Sequence, residues 1–264
     1  MKIDTHIHLW TADCKLNPDR RYTPEVWSSA EDYLAVLDGH GMSAGVVVQP
    51  SIMGTDNSYM VQSLRKYPSR LRGIAVIAPD IADAELAEMD AAGVVGVRLN
   101  VSSFDQPEDF LSPAWKKMFA RLAELKWVVT YNAGGPTAAA LLEELRRHDL
   151  DVVADHFGKP DLKKGLHCEG FQALLKGGRH ARTWVKLDPG HSMLKLDMRP
   201  YVEALTEALG PERLTWGSNW PWPRYHFTVN YRQHLDLLDQ WFSDDEAMKA
   251  RVLGDNPAQV FRFA

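Results

Sequence analysis

Two histidines near the start of the chain, His6 and His8, are separated by one residue in the run Asp-Thr-His-Ile-His. Residues i and i+2 of a β-strand point to the same face, so a strand here would place both imidazoles side by side. Such a pair can ligate a metal ion or polarise a carbonyl group. The alternative is a pair of hydrogen-bonded histidines in a polar strand end. The position of the pair at the end of a first strand favours the functional interpretation.

A third histidine, His156, follows Asp155 directly after another short apolar run. Together with His6 and His8 it could ligate Zn²⁺, although the spacing alone does not establish such a site. Arg98 stands inside the apolar run Gly-Val-Arg-Leu-Asn. A guanidinium group there is costly unless an anion satisfies it. We therefore expect Arg98 to bind a substrate carboxylate, with an ion pair to Asp155 as the alternative.

Further candidates lie where apolar runs end or in loops that could fold over those ends. Asn219 belongs to the run Trp-Gly-Ser-Asn-Trp-Pro-Trp-Pro, whose aromatic and proline residues predict a rigid rim with Asn219 projecting into the site. The other predicted substrate-binding residues are Tyr22, Gln49, Ser51, Tyr131, Lys159, Trp222 and Arg224.

The composition indicates an ordinary globular protein. Of 264 residues, 45% are hydrophobic and 25% charged, and the net charge is −5. With no basic stripe, nucleic acid and acidic membranes are not expected as partners. No run of 18 apolar residues occurs that could span a membrane. The first residues lack the apolar region of a signal peptide, and only Cys14 and Cys168 occur, so we expect a cytoplasmic protein.

Short runs rich in Val, Ile or Leu alternate with amphipathic stretches, which predicts alternating strands and helices. The runs do not alternate cleanly between apolar and polar residues, as is typical of parallel strands buried on both faces. Eight units of about 33 residues in a chain of 264 favour a single α/β domain, a (β/α)₈ barrel of the TIM type over residues 1–264. A doubly wound sheet is the rival, but its G-x-G-x-x-G fingerprint is missing. The predicted strands are 2–8, 45–49, 73–77, 96–100, 127–132, 151–155, 183–187 and 213–217.

Several helix starts can be predicted from capping residues. Ser29, with an acidic residue three positions later, predicts a capping box before helix 30–39. Ser112 followed by proline predicts the start of helix 114–125. Asp56 and Asp83 are expected to cap helices 57–67 and 84–92. The remaining predicted helices are 136–148, 169–176, 200–209, 229–242 and 244–253. Active sites of such barrels lie at the carboxyl ends of the strands, where the candidate residues above would meet.

Eight short motifs occur in order along essentially the whole chain. They are HxH at 6–8, RYxP at 21–24, VQPS at 48–51, GTDN at 54–57, GVRxN at 96–100, DHxGKPD at 155–161, WVK at 184–186 and WGSNWP at 216–221. Together they resemble the branch of the amidohydrolase superfamily that contains 2-pyrone-4,6-dicarboxylate lactonase and related lactonases. The resemblance implies a distorted (β/α)₈ barrel and metal-free hydrolysis of a lactone ester. It also implies that His and Arg side chains hold or polarise the lactone, while an Asp after strand 8 activates water.

The chain departs from that family pattern at several positions. Asn219 stands where the family has the water-activating Asp, and Trp222 stands where it has a His. The carboxylate-binding Arg residues expected after strands 4 and 7 are missing from 101–104 and 188–193. Arg98 is retained, Lys159 replaces a common Arg, and Arg224 has no counterpart in the pattern. The number of departures favours natural divergence at position 219 over a single engineered change.

These departures change the expected chemistry. A carboxamide cannot accept a proton from water, and general-base catalysis contributes about 10²–10⁴-fold in rate. Hydrolysis would therefore need another base, for which His6, His8, His156 and Asp188 are the candidates. The loss of two Arg residues favours a substrate with one carboxylate, or a flatter apolar substrate stacked on Trp220 or Trp222.

The same positions bear on metal binding. Metal-dependent relatives use a Lys or Glu on strand 4, a His on strand 5 and the Asp after strand 8. This chain has Arg98, Tyr131-Asn132 and Asn219 there, so we expect no cofactor and no tight divalent site. A weakly bound Zn²⁺ held by His6, His8 and His156 is the alternative.

The sequence therefore predicts a metal-independent, lactonase-like hydrolase of a small carboxylated pyrone or lactone. A lyase, isomerase or cyclase using the same pocket is the alternative, and a binding protein without turnover is a third class. The predicted partner is a small molecule, and both a monomer and a homodimer remain open.

Overall fold

Eight parallel strands form the centre of the molecule, in a computed structural model that describes residues 1–101, 109–178, 182–190 and 193–263. They make one sheet in sequence order, and each strand pairs in parallel with the next. The strands are β1 (Ile3–Ile7), β2 (Ala44–Val48), β3 (Leu71–Ala75), β4 (Val94–Leu99), β5 (Val128–Tyr131), β6 (Val152–Ala154), β7 (Thr183–Leu187) and β8 (Leu214–Trp216).

Helices connect these strands and follow the last one. They are α1 (Ala30–Gly39), α2 (Ser58–Lys66), α3 (Asp83–Ala92), α4 (Pro113–Glu124), α5 (Gly135–Leu145), α6 (Glu169–Lys176), α7 (Arg199–Leu209), α8 (Tyr231–Phe242), α9 (Glu246–Ala250) and α10 (Asn256–Val260). None of the described helices is both long and apolar enough to cross a membrane.

The first and last strands meet through a few specific contacts rather than a full ladder. The Thr5 hydroxyl donates to the carbonyl of Trp216 at 2.8 Å. Beyond the strand ends, the amide of His8 donates to the carbonyl of Trp220 at 2.9 Å, and the amide of Asn219 donates to that of His6 at 2.8 Å. The eight strands thus form a nearly closed barrel, which confirms the predicted TIM-type fold. The same contacts fix Asn219 beside the histidine pair.

Alternate strand residues face two different apolar clusters, as expected for strands buried on both sides. Val46 and Val48 join a cluster with Ile74 and Trp184, whereas Val47 joins the larger cluster that includes the helices. The first cluster takes side chains from β1 to β7 and from the end of the chain near α10. It fills the barrel interior at the amino ends of the strands, so the site can lie only at the opposite end.

The capping predictions were confirmed at two helices and wrong at two. Ser29 forms the expected capping box with Asp32, and the Ser112 side chain accepts from the amide of Trp115. Asn57, and not Asp56, is the N-cap of α2, although the Asp56 carboxylate accepts from the amide and hydroxyl of Ser58, the first residue of the helix.

The second wrong cap is Asp83, which is the first residue of α3 and follows the N-cap Ala82. Ala82 has an extended backbone and makes no side-chain cap hydrogen bond. An acidic residue is favourable both at the N-cap and as the first residue of a helix, so the sequence pattern is the same for the two positions.

The predicted strand 73–77 is shifted by two residues. β3 ends at Ala75 because the side chain of Asn57 takes both backbone groups of Val76, accepting from its amide at 3.1 Å and donating to its carbonyl at 2.8 Å. The other predicted strands agree with the structure within about two residues, the usual uncertainty of element ends.

The predicted last helix, 244–253, is interrupted in the structure. α9 ends at Ala250, a π-helical turn spans Arg251–Asp255, and α10 follows. Pro257 has no amide hydrogen to continue an α-helical ladder from Leu253, which explains a change of helix type here. The Asn256 side chain donates to the carbonyl of Leu214 at 2.7 Å and so ties this segment to β8.

Candidate active site

A cavity of about 190 Å³ opens at the carboxyl ends of the strands. Its wall combines one guanidinium group, two imidazoles, two carboxamides and hydroxyl groups with aromatic and proline rings. The predicted site residues on this wall are His8, Tyr22, Ser51, Arg98, Asn219 and Trp222. The wall residues that sequence reasoning did not single out include Leu194, Tyr225, Val229 and His234.

Asp188, directly after β7, holds two of the predicted catalytic histidines. Its Oδ2 lies 2.5 Å from Nδ1 of His6 and 3.0 Å from Nδ1 of His156, and its Oδ1 accepts from the amide of His156 at 2.5 Å. Burial would raise the pKa of this carboxyl group, but His156 and His6 outweigh burial and lower the pKa. Because the ionised carboxylate can only accept hydrogen bonds, Nδ1 of each ring carries the proton and Nε2 of the neutral ring is a proton acceptor.

The two rings differ in access. The His6 side chain is fully buried, whereas 15% of the His156 side chain is exposed. Burial, with further contributions from Lys186 and Arg98, holds the pKa of His6 well below its usual value, so His6 is neutral. The rings lie 5.0 Å apart between centroids, and only His156 can exchange water directly.

Asp155, at the end of β6, neutralises two buried cations. Its Oδ2 accepts from Nε of Arg98 at 3.0 Å, and its Oδ1 lies 3.1 Å from Nζ of Lys186. Burial would raise the pKa of Asp155, but Lys186 and Arg98 lower it. The alternative for Arg98 is confirmed, since the side chain pairs with Asp155 through Nε. Arg98 also forms part of the cavity wall, and its binding of a substrate carboxylate stays a prediction.

His8 presents its second ring nitrogen as an acceptor. Its Nδ1 lies 2.7 Å from the carbonyl oxygen of Val48, which can only accept, so Nδ1 is the donor. Burial, together with the nearby Arg98, lowers the pKa of His8 to about 3. A neutral His8 cannot donate through Nε2, so it does not polarise a carbonyl group in this state.

Asn219 lies in a loop whose backbone is held by a buried carboxylate. Asp4 accepts from the amide and hydroxyl of Ser218, at 2.9 and 2.6 Å, and from the hydroxyl of Tyr231 at 2.9 Å. Burial raises the pKa of Asp4 to about 6, with these hydrogen bonds acting in the opposite direction. Asn219 and Trp222 have φ angles of 59° and 56°, an unfavourable region for L-residues that the surrounding contacts impose.

Tyr22 and Lys159 come from loops on opposite sides of the site. Burial raises the pKa of Tyr22 to about 12, with Arg98 and Arg224 acting against it. Burial, together with Arg98 and Arg21, lowers the pKa of Lys159 to about 8. Lys159 does not line the 190 Å³ cavity, and Arg224 lines a neighbouring one.

Two further predicted substrate-binding residues lie away from the wall of the 190 Å³ cavity. The Gln49 side chain donates to the carbonyls of Asp56 and Gly54 at 2.7 and 3.4 Å, so it shapes the loop after β2. Tyr131 is fully buried, and its hydroxyl has no hydrogen-bond partner among the described residues. Trp220, expected as a stacking surface, packs on Tyr33 with ring centroids 5.4 Å apart.

His234 on α8 is the wall residue most clearly missed. It is fully buried, its ring lies 5.7 Å from that of Trp222, and neither ring nitrogen has a partner within the described ranges. Burial lowers its pKa to about 4. Helical spacing could have found it, because Tyr231, His234 and Leu238 follow the i, i+3, i+7 pattern of a buried face.

Two loop segments that the sequence analysis used to infer substrate charge lie at least partly outside the described residues. These are 102–108 after β4 and 191–192 after β7, where the family pattern places carboxylate-binding Arg residues. The sequence itself contains no Arg in either segment.

One set of potential metal ligands occurs in the described part of the chain. Ligand atoms of His6, His156 and Asp188 all lie within 4.8 Å of one another. His8, expected as the third ligand, is not in this set. Within this set, Asp188 Oδ2 lies 2.5 Å from Nδ1 of His6 and 3.0 Å from Nδ1 of His156, so an ion bound there would replace these contacts.

Comparison with known proteins places this geometry in a family. A family model described as amidohydrolase matches residues 3–263. The 4-sulfomuconolactone hydrolase of Rhizobium radiobacter is 30% identical over 267 positions, covering 98% of this chain and 89% of the relative. The 2-pyrone-4,6-dicarboxylate hydrolase of Comamonas testosteroni is 29% identical over 285 positions, covering 98% and 89%.

A solved structure agrees along the whole chain. It is a probable 2-pyrone-4,6-dicarboxylic acid hydrolase from Acinetobacter baumannii with citric acid bound, with a TM-score of 0.92, 30% identity and 99% of both chains covered. The resemblance read from the ordered motifs is confirmed, and the chain belongs to the amidohydrolase family.

Proposed function

We propose that the protein hydrolyses the ester bond of a small carboxylated lactone or pyrone without a metal ion. The observation that carries this proposal is the wall of the 190 Å³ cavity, where Arg98, His8 and Asn219 face one space. No carboxylate belongs to that wall among the described residues. A cationic, hydrogen-bonding pocket of this size suits a small anionic ring.

Arg98 binds the substrate carboxylate. Its Nε is occupied by Asp155, which leaves the terminal nitrogens of the guanidinium fork for a carboxylate in the cavity. The related Acinetobacter structure holds citric acid, a carboxylated molecule, which supports recognition of small organic acids by proteins of this kind. Tyr22, Ser51 and Asn219 supply further N–H and O–H donors at the wall for the ester carbonyl.

The proton acceptor is His156, supported by Asp188. Nε2 of His156 takes a proton from water as the water oxygen bonds to the carbonyl carbon, and Asp188 stabilises the imidazolium. The ring C–O bond then breaks, and the imidazolium returns the proton to the leaving oxygen. The 3.0 Å contact between Nδ1 and Oδ2 and the 15% exposure of this ring support the role. Asn219 donates its amide N–H to the carbonyl or to the attacking water.

The chemistry of the donor set supports the proposed metal independence. A catalytic zinc site needs three protein ligands and an open position. The described set has a carboxylate already shared by two imidazoles, and Arg98 adds a positive charge near His8. We expect the purified protein to contain less than about one-tenth of an equivalent of divalent metal by mass spectrometry, and chelation to leave its activity unchanged.

The test is a panel of pyrones and lactones given to the wild type and to Asn219→Asp after chelation. We expect turnover by the wild type with a product mass increase of about 18 Da, one water added across the ester. A product of unchanged mass would support an isomerase instead. Turnover by the Asp variant alone would show that position 219 must supply the base, and would exclude His156 from that role.

We also propose that the protein works in the cytoplasm. Cys14 and Cys168 are both free, which suits a reducing compartment. Fractionation of the producing cells would test this, and recovery outside the cytoplasm would contradict it.

A further inference from the structure

The 190 Å³ cavity receives its wall residues from opposite sides of the barrel. Arg98 belongs to β4, and in a nearly closed sheet of eight strands in sequence order β4 lies opposite β8. The opposite wall, which we call the β8 side, consists of Pro189, Leu194, Trp222, Pro223, Val229 and His234. A substrate whose carboxylate lies at Arg98 therefore extends its ring towards the β8 side.

His234 is the buried polar side chain of the β8 side. Its ring is fully buried, and neither ring nitrogen has a hydrogen-bond partner among the described residues. Buried polar atoms are nearly always hydrogen-bonded in folded proteins, and leaving one unpaired costs free energy. The carbonyl of His234 accepts from the indole N–H of Trp216 at 3.3 Å, which ties α8 to β8 at this point. The imidazole is thus held at the cavity with hydrogen-bonding capacity that the described part of the chain does not use.

The rest of the β8 side is apolar. The indole N–H of Trp222 donates to the carbonyl of Ser218 at 2.7 Å, so the ring offers apolar surface, and its centroid lies 5.7 Å from that of His234. The proline, leucine and valine side chains of this wall carry no polar groups. Tyr225 also lines the cavity but is 37% exposed, so it borders on solvent. A substituent bound here is surrounded by apolar groups and has the imidazole as its buried hydrogen-bonding partner.

The charges around the β8 side disfavour an anion there. Arg98, on the opposite side, is the only guanidinium or ammonium group on the cavity wall within the described ranges. His234 is neutral at pH 7, because burial lowers its pKa to about 4. The ionised Asp188 is close enough to act on that pKa in the opposite direction, so it would repel a second carboxylate. An uncharged oxygen would accept the N–H of His234 without this repulsion.

We propose that His234 is a specificity-determining residue, which donates a hydrogen bond to an uncharged oxygen, a carbonyl or a hydroxyl, on a substituent of the substrate ring. This inference rests on the proposed function and narrows its substrate to a lactone or pyrone with one carboxylate at Arg98 and a neutral, oxygen-bearing substituent on the β8 side. An apolar substituent of the same shape would leave the imidazole unpaired, and a second acid would bring a negative charge to a neutral, mostly apolar surface.

The first test compares kcat/KM for two 2-pyrone-6-carboxylates, one with an acetyl group and one with an isopropenyl group at C4. The two substituents have nearly the same shape, and only the acetyl oxygen accepts a hydrogen bond. The acetyl-to-isopropenyl ratio is measured for the wild type, His234→Leu and His234→Asn, and the comparison between proteins cancels the difference in intrinsic reactivity. The matched control is His148→Leu, which removes a histidine that contacts Glu144 away from the cavity.

We expect His234→Leu to lower the ratio about tenfold, the size of one hydrogen bond to a buried group. His234→Asn retains an N–H donor and should lower the ratio less. His148→Leu should leave it unchanged. A ratio in His234→Leu within a factor of about two of the wild type, or an equal fall in His148→Leu, would overturn the proposal.

Binding of inert aromatic acids separates this inference from the hydrolytic function. Calorimetry gives the Kd of 3-acetylbenzoate, 3-isopropenylbenzoate and benzene-1,3-dicarboxylate for the wild type and for His234→Leu. The wild type should bind the acetyl acid about tenfold more tightly than either of the others, and His234→Leu should bind the acetyl and isopropenyl acids equally.

This binding result would support the role of His234 even if neither pyrone is hydrolysed. Hydrolysis of both pyrones together with tighter binding of the dicarboxylate than of the acetyl acid would retain the function and reject an uncharged substituent. No measurable binding of 3-acetylbenzoate by the wild type would also reject it.

Discussion

Asp188 holds His156 by both its side chain and its backbone. One carboxylate oxygen accepts from the His156 amide at 2.5 Å, and the other lies 3.0 Å from Nδ1 of the ring. The His156 backbone has a φ of 53°, an unfavourable region for a non-glycine residue. Nδ1 also lies 3.2 Å from the backbone carbonyl oxygen of Asp188, which can only accept. Asp188 thus fixes both the position and the tautomer of the imidazole, which an imidazole needs in order to act as a base through Nε2.

Replacing Asp188 with Asn should therefore impair catalysis more than binding. An Asn side chain retains the size but loses the negative charge that stabilises the imidazolium, so we expect kcat to fall by about 10²–10⁴-fold with a smaller change in KM. Steady-state kinetics on a hydrolysed pyrone or lactone measures both.

The control for Asp188→Asn is Asp197→Asn, which alters an exposed carboxylate paired with Arg199. Both variants should keep the circular dichroism spectrum of the wild type. A kcat within a factor of about three of the wild type in Asp188→Asn would remove the Asp188–His156 pair from the mechanism.

The fold was predictable because its signals are local. Runs such as Ala44–Val48 are apolar throughout, which distinguishes parallel strands, and Ser29 and Ser112 announce helices through their own side chains. One failure depends on a contact remote in sequence. The end of β3 is set by Asn57, nineteen positions before Val76, and no local pattern reveals that hydrogen bond.

The site was predictable where a side chain follows a strand. His8, Arg98 and Asn219 reached the cavity for that reason. Gln49 did not, because its amide finds carbonyl partners in its own loop. His234 was missed because a helix contributes it from outside the strand ends.

Arg98→Met should change substrate preference. The variant loses a charge-assisted hydrogen bond to the substrate, so we expect KM for a carboxylated lactone to rise about 10–100-fold relative to its uncharged methyl ester. Asp155 keeps Lys186 as a counter-charge at 3.1 Å, so the fold should persist. Arg98→Lys, which keeps the charge but loses the fork, should give an intermediate preference. Equal changes for acid and ester would assign Arg98 a purely structural role.

The free energy of unfolding should decrease as the pH is lowered below neutral, partly because of His234. Burial lowers the pKa of His234 from its ordinary value of 6.5 to about 4, so the unfolded chain is protonated before the folded protein as the pH falls. Neutral His234 contributes to the free energy of unfolding above pH 6.5, and this contribution is lost as the pH falls towards 4. The loss is about 2 kcal/mol between pH 6.5 and 4.5. His8, with a pKa of about 3, contributes in the same direction.

Urea unfolding of the wild type and of His234→Leu at several pH values measures this effect. The difference in unfolding free energy between the two proteins should shift in favour of the variant by about 2 kcal/mol from pH 6.5 to 4.5. Above pH 7.5 the difference should be constant, because His234 is then neutral in both states. A difference independent of pH across the acid range would show that the folded protein protonates His234 as readily as the unfolded chain.

Asp4→Ala should destabilise the barrel at its closure and also displace Asn219. The substitution leaves the amide and hydroxyl of Ser218 and the hydroxyl of Tyr231 without their acceptor in a buried setting. Each unpaired buried donor costs about 1–3 kcal/mol, so we expect the free energy of unfolding to fall by about 3–5 kcal/mol. Urea unfolding at pH 7.5 measures the loss, with Asp197→Ala as an exposed control.

Because Ser218 immediately precedes Asn219, kcat of Asp4→Ala should fall even under conditions where the variant is fully folded. Full activity in a destabilised variant would mean that the loop keeps its geometry without Asp4, and that His6, which accepts from the amide of Asn219 at 2.8 Å, is sufficient to hold it.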